Sequence, residues 1–163
     1  MKASANEVMT LAAKAACGAG APPAQAAAFG RAALCHLAAD RSAVDLITAL
    51  DALPHGPIIS LPLTFAALAT PASPKGVFRA DTPPDLVRSY AEAQPFATSV
   101  AVDGHHLTAT LDITTPTARP TVSRINLPDE LARLLNTHAA KTLVPESAAS
   151  RSSGAGAGLT DND

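Results

Sequence analysis

Fourteen prolines punctuate this chain, and because each one lacks an amide hydrogen and its ring crowds the preceding turn, they mark where segments start and stop. The segments between them carry helix signals first. Pro22 and Pro23 stand at the start of a run in which Ala26, Phe29, Ala33 and Leu37 recur at helical spacing, so a helix is predicted over residues 24–38. Upstream, Ser4-x-x-Glu7 has the form of a capping box. Val8, Leu11, Ala12 and Ala15 follow at helical spacing, and Gly18 with Gly20 supplies a stop, predicting a helix over 7–16. Ser42-x-x-Asp45 opens a third helix over 43–53, striped by Leu46, Ile47, Leu50 and Leu53 and ended by Pro54-His55-Gly56-Pro57. Three short helices with tight turns define a helical subdomain over 1–56.

After Gly56 the pattern changes. Ile58-Ile59-Ser60-Leu61 reads as a strand stopped by Pro62, residues 63–69 carry no clear period, and 70–75 read as a loop. Residues 76–80 read as a second strand, and Thr82-Pro83-Pro84-Asp85 opens a helix over 85–93 that stops before Pro95. The clearest β signal is the alternation of Val100 and Val102 before Asp103-Gly104, and of Leu107, Ala109, Leu111 and Ile113 after it, the pattern of a hairpin. Residues 121–125 read as a third strand of that sheet. Pro128-Asp129-Glu130 opens a last helix over 129–142, with Leu131, Leu134, Leu135, His138 and Ala139 as its buried stripe, and Pro145 ends it. The expectation is an α+β fold: an N-terminal helical bundle, then a small, mostly antiparallel sheet with packed helices over 57–144, then a Gly/Ser-rich tail over 145–163.

With no Trp, one Tyr and four Phe in 163 residues, the core must be built from Leu, Val and Ile and from close helix contacts through Ala. A net charge of -2, and no segment that mixes clustered Lys or Arg with aromatics, argue against nucleic acid as a partner. No run approaches the roughly 18 apolar residues that span a bilayer, which argues against a membrane. The polar start Met1-Lys2-Ala3-Ser4-Ala5-Asn6-Glu7 lacks the apolar core of a signal peptide, so a cytoplasmic location is expected. Abundant Ala and Pro point to a GC-rich coding genome and hence a bacterium. Two cysteines inside helical patterns are no disulfide framework.

Few residues suggest chemistry. Cys35 and His36 are neighbours, but on a helix adjacent side chains diverge by about 100° and do not face each other, and Cys17 falls at a helix C-terminus, where the dipole disfavours a thiolate. His105 and His106 leave opposite faces of a strand, which argues against a shared metal. No cofactor motif is present. The tail is the richest stretch: Ser150, Arg151, Ser152 and Ser153 precede Gly154, Gly156 and Gly158, and Asp161, Asn162 and Asp163 close it. Alternating glycines admit positive φ and close backbone approach, and successive exposed N–H groups cradle an anion. No Gly-Lys-Ser/Thr follows them, which rejects a P-loop. His138, on the inner stripe of the last helix beside the tail, is the candidate general acid/base.

The two ends together, Ser4-x-Asn6-Glu7-Val8 with the Gly18-Ala19-Gly20 turn, and Val144-Pro145-Glu146-Ser147 leading to Ser150-Arg151-x-x-Gly154-Ala155-Gly156-Ala157-Gly158 and Asp161-Asn162-Asp163, resemble a small bacterial family, a domain of unknown function. The resemblance implies that the tail is a family feature, and it supplies no reaction. Cys17 stands where an Arg would be typical of that family, and Trp is missing. The reading is a non-catalytic binding or accessory protein using Ser150, Arg151, Gly154, Gly156, Gly158, Asp161 and Asp163 with His138, Asn6 and Glu7. Its partner is a protein, a second copy or a small anion. The alternative is a small-molecule enzyme whose site the tail closes near His138.

Overall fold

Ser4 sets the start of the first helix from both sides of one turn: its hydroxyl accepts from the Glu7 amide at 3.3 Å, and its own amide donates to the Glu7 carboxylate at 2.6 Å. In the computed structural model, which describes residues 1–70, 75–78, 82–103, 106–117 and 123–143, this helix follows a short strand β1 (Lys2–Ala3) and runs as α1 (Ala5–Gly18). It ends as the glycines require. Gly20 takes φ +103°, so that its amide reaches the Cys17 carbonyl and the Ala21 amide reaches the Ala16 carbonyl. The second helix, α2 (Pro23–Ala38), closes through the same pair of bonds without a glycine: Asp40 adopts φ 52°, its amide bonding Leu37 and the Arg41 amide bonding His36.

Small residues let α1 sit close between α2 and the last helix, α6 (Asp129–Ala140). A Cβ on Gly30 would stand 2.5 Å from the Met9 carbonyl oxygen, and one on Gly18 would stand 1.9 Å from that of His138. Ala12, Ala15 and Ala16 of α1 and Ala26, Ala32 and Ala33 of α2 are all buried, with Val8 and Phe29 as the larger groups. α3 (Ala43–Asp51) follows, capped by Ser42.

Residues 57–69 differ from the sequence expectation of a strand and an unassigned stretch. They form α4 (Pro57–Leu68), which continues through Pro62. Ile58, Leu61, Phe65 and Leu68 are all buried, at helical spacings of three, four and three. An internal proline costs a helix about 3 kcal/mol, whereas burying each large apolar side chain is worth about 1.5–3 kcal/mol. Four of them outweigh the lost hydrogen bond, so tertiary packing overrides the local β pattern.

The hairpin is present. β3 (Phe96–Asp103) and β4 (His106–Pro116) pair antiparallel with Val100 opposite Ala109 and Asp103 opposite His106. The third strand is β2 (Lys75–Phe78), which lies on the other side of β4 with Phe78 opposite Leu107, giving the order β2-β4-β3. The stretch expected to supply that strand behaves otherwise. Residues 118–122 lie outside the described residues, and β5 (Ile125–Asn126) pairs antiparallel with β1 in a separate two-stranded sheet. Ile125 and Ala3 are both buried there, so this small ladder is set by its own apolar pair. The hairpin sheet buries Phe78, Leu107 and Ala109 against α4 and α5 (Pro84–Glu92), with the Phe65 and Phe78 rings tilted at a centroid distance of 5.5 Å. The fold is α+β.

Candidate functional site

Asn6 and Glu7 lie in the first turn of α1, where β1 delivers the chain against the start of α6. They line an open cleft of about 400 Å³ together with Thr10, Leu11, Lys14, Leu127 and Asn136. Leu127 is buried and Leu11 half-buried, so the cleft has an apolar floor under polar walls. Asn136 donates from its side-chain nitrogen to the Ala132 carbonyl at 2.7 Å, which leaves its amide oxygen as an acceptor. Glu7 is committed to the helix start. Accepting the Ser4 amide is the chief reason its carboxyl sits below the ordinary value, with the Ser4 hydroxyl and the Arg124 charge adding to it.

His138 is not among the described residues that line this cleft. It is half-buried rather than a member of the buried stripe, which consists of Leu131, Ala132 and Leu135, and its Nδ1 faces the Lys141 ammonium at 3.3 Å. Geometry explains the separation. α1 and α6 run parallel: their starts are joined by the Leu127 amide on the Met1 carbonyl, and their ends meet where Gly18 touches the His138 carbonyl. Glu7 and His138 therefore stand at opposite ends of the helix pair, about 16 Å apart along an axis that rises about 1.5 Å per residue. Ser150, Arg151, Gly154, Gly156, Gly158, Asp161 and Asp163 lie outside the described residues, as do Gly104, His105 and the His106 side chain.

A second polar cluster went unrecognised in the sequence. His36, fully buried on α2, is held at both ring nitrogens: Nε2 is 2.7 Å from the Ser42 carbonyl, and Nδ1 is 2.9 Å from the Ser89 hydroxyl on α5. A carbonyl only accepts, so Nε2 carries a proton. Ser89 also accepts from Arg41 at 2.9 Å and reaches back to the Asp85 carbonyl at 2.7 Å. Arg41 in turn forks onto both carboxylate oxygens of Glu92, and that hydrogen-bonded pairing holds the guanidinium protonated even more firmly than usual. The cluster ties α2, the cap of α3 and α5 together. The helical period already placed His36 seven residues after Phe29 on one face, but its partners are far away in the chain and leave no local signal.

Cys17 and Cys35 are half-buried and form no disulfide. Among the described residues no three His, Cys, Asp or Glu side chains are grouped to hold a metal ion, and no helix is long and apolar enough to cross a membrane. Comparison of the chain with protein-family models, with curated proteins and with solved structures returned no match.

Proposed function

We propose that this chain is a non-catalytic binding or accessory protein whose Gly-rich segment, residues 150–163, works with the cleft at the start of α1 and α6. The observation that carries this reading is the character of the cleft. Amide groups of Asn6 and Asn136 and the Thr10 hydroxyl border a leucine floor, with the Lys14 ammonium alongside, a lining suited to an extended polypeptide. Asp161 and Asp163 complement Lys14 in charge, and Gly154, Gly156 and Gly158 allow close backbone approach. Reach is no obstacle. α6 is 12 residues long, about 18 Å at about 1.5 Å per residue, and about six extended residues span that distance at roughly 3.3 Å each. The same segment on a second copy or on a partner would use the same groups.

The enzyme alternative would require the segment to bridge His138 and Asn6, which stand at opposite ends of the α1–α6 pair. Two thiols outside any disulfide support a reducing bacterial cytoplasm as the setting, and the likeness of the two ends to a bacterial family of unknown function supports the segment as the working part. The test is a comparison of amide NMR spectra of the full chain and a chain lacking residues 150–163. Shifts confined to Asn6, Thr10, Lys14, Leu127 and Asn136 are expected. Superimposable spectra at those positions, at every protein concentration, would reject the proposal.

A further inference from the structure

Away from the α1–α6 cleft, α3, the start of α4 and the turn into α5 enclose a cavity of about 390 Å³. Among the described residues that line it, the only charged side chain is Asp45, and the other polar side chains are the hydroxyls of Thr48, Ser60 and Thr82. Pro57 and Pro83 form part of the wall, and no Lys, Arg or His is among the described residues that line it. Two features set these polar groups apart. The Asp45 carboxylate has no hydrogen bond or ion pair among the described residues, although Arg41 and Arg88, on neighbouring elements, are both engaged with other carboxylates. The three hydroxyls have no hydrogen bond among the described residues either, whereas those of Thr64, Thr70, Thr137 and Thr142 each donate to a helix carbonyl three or four residues back.

The frame around the cavity is stiff. Ser42, three residues before Asp45, caps α3 with its hydroxyl and anchors the buried His36 ring with its carbonyl. Pro57 and Pro83 each have a fixed φ. An unpaired carboxylate beside three unspent hydroxyls, in a hollow of ligand size with aliphatic walls, favours one cation and several hydroxyl partners. We infer that this cavity binds a small hydroxylated amine, with the ligand ammonium on Asp45 and its hydroxyls on Thr48, Ser60 and Thr82. Among the described residues, this site shares no lining residue with the α1–α6 cleft.

The probe pair is glucosamine and glucose, which differ by one ammonium in place of one hydroxyl, titrated into the full chain and followed by amide NMR. Saturable shifts at Asp45, Thr48, Ser60 and Thr82 are expected with glucosamine, with a dissociation constant at least about tenfold lower than for glucose, a difference of about 1.4 kcal/mol. Asp45→Asn keeps the shape of the side chain and should erase that preference. Ser60→Ala, at an exposed helix position, should weaken both probes while leaving the melting temperature within a few degrees. Equal affinity for both probes, no saturable response to glucosamine, or an unchanged preference in folded Asp45→Asn protein would each overturn the inference.

Discussion

Gly18→Ala is the sharpest test of how the helices are held, because the new methyl would meet backbone rather than a side chain that can swing away. Its Cβ would stand 1.9 Å from the His138 carbonyl oxygen and 2.8 Å from the carbonyl carbon. Real contacts of this kind essentially never fall under 3.0 Å, so α1 and α6 must separate by about 1.1 Å, the difference between 3.0 and 1.9. Forcing open a packed seam costs about 1–3 kcal/mol, and replacing a helical glycine by alanine returns about 0.5–1 kcal/mol. The expected net loss is about 1.25 kcal/mol at the centre of those ranges and at most about 2.5 kcal/mol, a fall in melting temperature of roughly 2–10 °C for a chain of this length. Gly20→Ala is the control. Nothing stands within 4 Å of its Cβ, but φ is +103°, so it should lose about 1 kcal/mol through the backbone alone. Calorimetry measures both, and hydrogen exchange separates them: Gly18→Ala should speed exchange along α6, and Gly20→Ala should not. A Gly18→Ala protein as stable as the parent, with α6 protection unchanged, would refute the packing argument.

Tyr90 is buried with a hydroxyl that finds no partner among the described residues, so Tyr90→Phe should be neutral or stabilising by up to about 1 kcal/mol in chemical denaturation. Burial pushes the Tyr90 phenol well above its ordinary 10.0. Because the unfolded chain releases that proton first, stability should fall as pH rises past the ordinary tyrosine range, and tyrosinate absorbance, which reports this residue alone, should appear only with unfolding. Ser89→Ala leaves His36 Nδ1 and one Arg41 nitrogen without their shared hydroxyl and should cost about 1–3 kcal/mol by urea denaturation. Asp40→Gly relieves a positive φ at the end of α2 and should raise stability by about 0.5–1 kcal/mol, read as a higher urea midpoint.

Helix starts were the most legible part of the chain, because caps and prolines act on their own neighbours. Ser4-x-x-Glu7 and Pro23 mark where α1 and α2 begin. α4 was hidden by two β-branched residues and an internal proline, whose local meaning was outweighed by a stripe of period 3.6 that runs through Pro62. β5 was assigned to the wrong sheet because alternation reports a buried face, not the strand that supplies the hydrogen bonds. At the candidate site, Asn6 and Glu7 line one cleft, and His138 stands at the other end of the α1–α6 pair. Its position on α6 was readable, but the parallel course of α1 and α6 was not, since that depends on a long connection through two sheets. The buried His36–Ser89 contact spans 53 positions, and the Asp45 cavity gathers residues from three elements, distances over which a sequence pattern carries no information.

The pairing of β1 with β5, and of α1 with α6, has a consequence for synthesis on the ribosome. The start of α6 follows that of α1 by 124 positions, 129 minus 5, and at about 5–20 residues per second one emerges roughly 6–25 s after the other. During that interval α2 is available to cover one side of α1, and the other side waits. What α1 buries includes Val8 and the methyl groups of Ala12, Ala15 and Ala16, a small sticky surface compared with a stripe of Leu and Phe. A seam made of alanine and glycine therefore limits what the nascent chain offers to other chains while its last helix is still being made.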